Sequence, residues 1–130
     1  MVSIDEMEEM LAQIAEKLPE EFFEYLNGGI LLLPQSKQHP ESVRGDLFIL
    51  GEYFRDAQMG KYIAIYYGSF ERVYGHLPME ALREQLDKTV KHEFRHHLET
   101  LGGEYGLEVE DELYIAQYLR EKGRHKEKGR

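Results

Sequence analysis

Two histidines four residues apart, His92 and His96, stand in a stretch that follows the Gly75 to Pro78 break and reads as one helix from Pro78 through at least His97. Four residues are little more than one helical turn, so both side chains fall on the same face, one above the other. On a wheel of about 100° per residue, Leu82, Leu86, Thr89 and Val90 form an inward stripe. His92 and His96 lie on the edge of that stripe and Glu93 close to its centre. A helix patterned in this way must be covered along the stripe by other elements of the chain.

The rest of the chain supplies them. Ser3 with Glu6 reads as a capping box, and Met7, Met10, Leu11, Ile14 and Leu18 then recur at helical spacing. Pro19 suits the first position of a second short helix through Phe22, Phe23 and Leu26, which Asn27-Gly28-Gly29 ends. Ile30-Leu31-Leu32-Leu33 is a strand-length apolar run, and residues 35–46 read as a surface loop. Residues 47–53 and 62–67 resume strand composition on either side of a turn near residues 56–60. Gly102-Gly103 and Gly106 are expected to force a turn, after which a last helix runs from about Val109 to Lys122. The fold class expected is α+β, a small sheet packed on the histidine-bearing helix with further helices at both ends. Residues 1–120 make one domain and residues 121–130 a basic, solvated tail.

Composition narrows the chemistry. The chain of 130 residues has no cysteine, so a metal must be held by His, Asp or Glu. Its net charge of −9 works against phosphate binding, and a nucleic-acid partner is not expected. No apolar run approaches the ~18 residues of a membrane span, and the acidic start lacks the features of a secretory leader. The expectation is a cytoplasmic protein without a membrane partner.

His92-Glu93-Phe94-Arg95-His96 has the H-E-x-x-H spacing that lets two imidazoles hold one Zn2+ while the glutamate reaches a water on the metal. Glu93 is then the general base as that water attacks a peptide carbonyl. The bland alternative is an exposed histidine cluster on an acidic helix. His97 points about 100° away from His96 and reads as a packed or supporting histidine, and Glu99 as an acceptor near the site. His39 and His76 sit in loops without a spacing signal and are assigned to the surface. A third metal ligand is required. If it lies within the last helix, the wheel selects Glu112; if it lies at the turn before that helix, Asp111 is favoured by its short side chain.

These residues resemble the small bacterial zincin-like metallopeptidase family, minimal zincins with an H-E-x-x-H-H motif. The resemblance rests on Leu18-Pro19-Glu20-Glu21, Asn27 and the strand at residues 30–33, then Leu50-Gly51-Glu52-Tyr53, Tyr62-Ile63-Ala64-Ile65-Tyr66 with Gly68, and Thr89-Val90-Lys91-His92-Glu93-Phe94-Arg95-His96-His97. It implies a zincin core, Zn2+ on His92 and His96, Glu93 as general base and a peptide or protein substrate. The family commonly continues with an aromatic residue, Gly and then an acid, whereas Leu98-Glu99 follows here. The family pattern therefore points to Asp111 slightly ahead of Glu112. In zincins an edge strand can pair with extended substrate, and residues 62–67 are the candidate strand. The alternative reading is a catalytically silent zincin-fold binding or regulatory domain that retains the metal site.

Overall fold

The computed structural model describes residues 1–104; the expected last helix and basic tail lie outside the described residues. Helix α1, Ile4–Lys17, starts at Ser3, whose hydroxyl accepts from the Glu6 amide while the Glu6 carboxylate accepts from the Ser3 amide. This reciprocal pair satisfies two amides that the first helical turn leaves unbonded. Met7, Met10, Leu11 and Ile14 are the face it buries.

The chain after Pro19 forms one turn of 3-10 helix, Glu20–Phe23, shorter than the helix expected through Leu26. Tyr25 adopts a left-handed φ of 62°, so helical geometry ends before the Asn-Gly-Gly stop is reached. Leu26 is nonetheless buried, inserted from irregular backbone.

Five strands follow: β1 Gly29–Leu33, β2 Lys37–Gln38, β3 Phe48–Ile49, β4 Gly51–Asp56 and β5 Gly60–Tyr66. The larger sheet has the order β1-β5-β4, with β1 parallel and β4 antiparallel to β5, so it is mixed. Strands β2 and β3 pair separately within the stretch expected to be loop and strand. The β4–β5 turn is tied by the Asp56 carboxylate, which accepts from the amides of Gln58 and Met59, and Gly60 completes it at a φ of 75°. Alternation along β5 places Ile63 and Ile65 on the core face, beside Tyr53 of β4 and Ile30 and Leu32 of β1.

Helix α2, Tyr67–Tyr74, begins where the strand was expected to continue, and sequence periodicity did not reveal it. It is held by close backbone approach: the Gly68 amide donates to the Gln35 carbonyl, and a Cβ on Gly68 would stand 2.5 Å from the Ser36 nitrogen. Helix α3, Met79–Glu104, packs on β4, β5 and α1 and contributes Leu82, Leu86, Val90, Phe94 and Leu98 to the core. It runs straight through Gly102-Gly103, where a turn was expected. Leu98, Leu101 and Gly102 are buried, and Glu104 pairs with Lys61 of β5 at 3.2 Å. Burial of two leucines offsets the roughly 1 kcal/mol that each helical glycine costs.

Candidate metal site

The motif lies in the second half of α3, where the helix crosses the sheet. His92 and His96 are exposed and Glu93 is buried, as the edge and the centre of an inward stripe require. The two histidine Nε2 atoms stand 3.1 Å apart, with the rings edge to face. A tetrahedral zinc with nitrogen ligands at about 2.0–2.1 Å holds those nitrogens roughly 3.3 Å apart, so the pair fits the ion with little adjustment. The same separation also suits one N–H···N hydrogen bond. Among the described residues no third His, Asp or Glu joins the pair in a group able to hold a metal. Asp111 and Glu112 lie outside the described residues.

Burial raises the Glu93 carboxyl above its ordinary value. The neighbouring His92 and His96 oppose that shift, and the Glu52 carboxylate adds a smaller push upward. A carboxyl with an elevated pKa beside two imidazoles is suited to exchanging a proton.

His97, one turn past Glu93, is fully buried and held at both ring nitrogens. Nε2 lies 2.7 Å from the Glu24 carbonyl oxygen, an acceptor only, so this nitrogen carries the proton. Nδ1 is then bare and accepts from the Tyr53 hydroxyl at 2.7 Å. Burial pushes that hydroxyl up to about 12, which keeps it a donor. Burial also lowers His97 below the usual imidazole value, although the Glu24 carbonyl opposes the shift. The packed role expected for His97 therefore has named partners, and its ring joins α3 to β4 and to the chain just after the 3-10 turn. Glu99 is exposed and bonded to Arg95 at 2.8 Å, on the solvent side of the helix.

A cleft of about 420 Å³ opens between the helix and the β2–β3 region. Lys88, Thr89, His92 and Glu93 line the helix wall; residues 48–51 and His39 line the other. The chain packs tightly at Gly51, where a Cβ would meet Ile65 Cδ1 at 3.0 Å, Thr89 Cγ2 at 3.1 Å and the Ala64 carbonyl oxygen at 3.2 Å. His39 was expected to be an ordinary surface residue. It carries no spacing signal because the long-range pairing of β2 with β3, not local periodicity, brings it to the cleft.

The expected substrate strand is corrected. Strand β5 sits between β1 and β4 with both edges paired, so residues 62–67 cannot add a further strand. The open edge next to the cleft belongs to β4. The Tyr66 amide donates to the Leu50 carbonyl, and by antiparallel alternation the main-chain groups of Gly51 and Tyr53 point away from β5. No described strand pairs there.

No protein-family model and no curated protein matches the chain. A solved structure of a conserved hypothetical protein from Thermo thermophilus is similar, with 32% sequence identity and a TM-score of 0.66. The match covers 78% of this chain and 99% of that one. The chain belongs to that protein's family. The relative is described as hypothetical, so the likeness supports the α+β fold and supplies no activity. Among the described residues no helix is long and apolar enough to cross a membrane.

Proposed function

We propose that the protein is a zinc-dependent peptidase of minimal zincin type acting on extended peptides. The observation that carries this reading is the 3.1 Å convergence of His92 and His96 Nε2 above a buried Glu93 on one wall of an open cleft. His92 and His96 hold the ion, and Asp111 or Glu112 is proposed as the third ligand. When bound, zinc polarises a carbonyl and acidifies water.

The remaining steps belong to this chain's own groups. Glu93 takes a proton from the attacking water and returns it to the departing amine, a role favoured by its raised pKa. The Tyr53–His97–Glu24 chain of hydrogen bonds holds α3 against β4 and keeps Glu93 turned to the cleft. The open main-chain groups of Gly51 and Tyr53 bind an extended peptide as an added strand.

The test is zinc content of protein purified without chelator, together with cleavage of a peptide library by the wild type and by Glu93→Gln. Near-stoichiometric zinc with cleavage lost in Glu93→Gln is the expected result. Absence of zinc sinks the reading. Zinc with no Glu93-dependent cleavage identifies a silent metal-binding domain instead.

A further inference from the structure

We propose that His39 is a second catalytic residue, donating a hydrogen bond from Nε2 to the substrate carbonyl oxygen as negative charge develops there. The inference rests on the peptidase reading and adds a group from the other wall of the cleft that Glu93 lines. Its ground is the hydrogen-bonding state of the polar side chains around the cleft. The Thr89 hydroxyl already donates to the Gln85 carbonyl at 2.9 Å. Lys88 is turned back to Glu84 at 3.7 Å, one helical turn away on the exposed surface. His92 belongs to the metal pair and Glu93 is an acceptor. Among the described residues, His39 is the remaining imidazole that lines the cleft.

Its protonation pattern follows from its partners. Nδ1 accepts from the Glu41 amide at 3.0 Å and is therefore bare, leaving the proton of the neutral ring on Nε2. The main chain around the ring is fastened as well. The His39 amide donates to the Leu47 carbonyl at 2.8 Å, and its carbonyl accepts from the Ser42 amide at 2.9 Å. A donor fixed before substrate arrives needs little reorganisation when charge appears, and this makes such groups effective in transition-state stabilisation. His39 stands outside any group of three potential ligands among the described residues, so its reading as a donor does not compete with the metal pair.

The balance of the reaction is that of amide hydrolysis. The water oxygen bonds to the carbonyl carbon, the C–N bond breaks, and the water proton passes through Glu93 to the departing nitrogen. His39 keeps its own proton throughout.

The experiment compares wild type, His39→Ala and His39→Gln for peptide cleavage, zinc affinity and histidine-ring nitrogen NMR of the metal-free protein. The expected results are a kcat roughly 100-fold lower in His39→Ala with KM changed less than about threefold, and partial recovery in His39→Gln, whose amide can donate. Zinc affinity stays as in the wild type, and the wild-type His39 ring shows a protonated Nε2 and a bare Nδ1. A His39→Ala protein with unchanged kcat overturns the inference alone, provided wild-type cleavage depends on Glu93. A tenfold or greater loss of zinc affinity also overturns it, by making His39 a ligand. A wild type that cleaves no peptide overturns both the peptidase reading and this inference.

Discussion

The Tyr53 hydroxyl donates to Nδ1 of His97 across 2.7 Å, fastening the edge strand beside the cleft to the helix one turn past Glu93. Removing the Tyr53 hydroxyl leaves Nδ1 of the fully buried His97 without that partner. Tyr53→Phe leaves Nδ1 without a donor and is expected to cost about 1–3 kcal/mol. His97→Ala also opens a cavity and is expected to cost about 2–5 kcal/mol. Urea unfolding of the metal-free proteins measures both, and equal stability of Tyr53→Phe and wild type would show that the bond contributes nothing.

The same histidine makes stability depend on pH. Burial lowers its folded-state pKa, whereas the unfolded chain takes up the proton near the ordinary value of 6.5. The unfolded state therefore binds more protons between the folded value and 6.5, and stability falls as pH drops through that window. Above 6.5 this contribution is complete and flat. Glu93 acts in the opposite sense above its ordinary 4.5, so the comparison belongs in a Glu93→Gln background. There, the stability difference between His97 and His97→Gln is expected to shrink as pH is lowered from 7.5 to 5.5. A difference independent of pH would refute the assignment.

Glu93 is placed for chemistry at a cost to the metal-free fold. Its charged form is disfavoured by burial, so Glu93→Gln is expected to raise the metal-free melting temperature by a few degrees at neutral pH. Below pH 4.5 the wild-type carboxyl is protonated in both states and the advantage disappears. The same substitution is expected to abolish cleavage. Calorimetry at pH 7.5 and pH 4 checks the first part.

His92 and His96 are exposed and contribute little to the core. His92→Ala and His96→Ala are each expected to leave metal-free stability within about 0.5 kcal/mol of wild type. Zinc at a hundredfold excess over its dissociation constant is expected to stabilise the wild type by about 2.7 kcal/mol, and neither variant at that concentration by a comparable amount. Thermal melts with and without zinc read both effects, and a zinc shift surviving in both variants would place the ion elsewhere.

Gly68 governs how closely α2 approaches the chain that leads to His39. Gly68→Ala sets a Cβ 2.5 Å from the Ser36 nitrogen and 2.6 Å from the Gln35 carbonyl carbon, both backbone atoms that cannot rotate away. The expected cost is about 1–3 kcal/mol. Any cleavage activity is expected to fall further than at a core position of equal cost, because the displaced segment carries one wall of the cleft. Activity measured well below the melting temperature separates the two effects.

What the sequence determined alone is local in origin. The capping box at Ser3 and Glu6, the buried stripe of α1 and the placement of His92, Glu93 and His96 around α3 all follow from a period of 3.6 residues acting within a few turns. The α+β class was legible for the same reason. Tertiary structure decided whatever depends on partners distant in sequence. Strand order put residues 62–66 in the centre of the sheet and left β4 at the edge. Packing of Leu98 and Leu101 carried α3 past two glycines that local propensity reads as a stop. The β2–β3 pairing brought His39 to the cleft, and the approach of Tyr53 and the Glu24 carbonyl gave His97 its two bonds. Each of these contacts joins segments whose separation along the chain leaves no periodic trace, because strand pairing and core packing are settled by which surfaces meet when the whole chain closes.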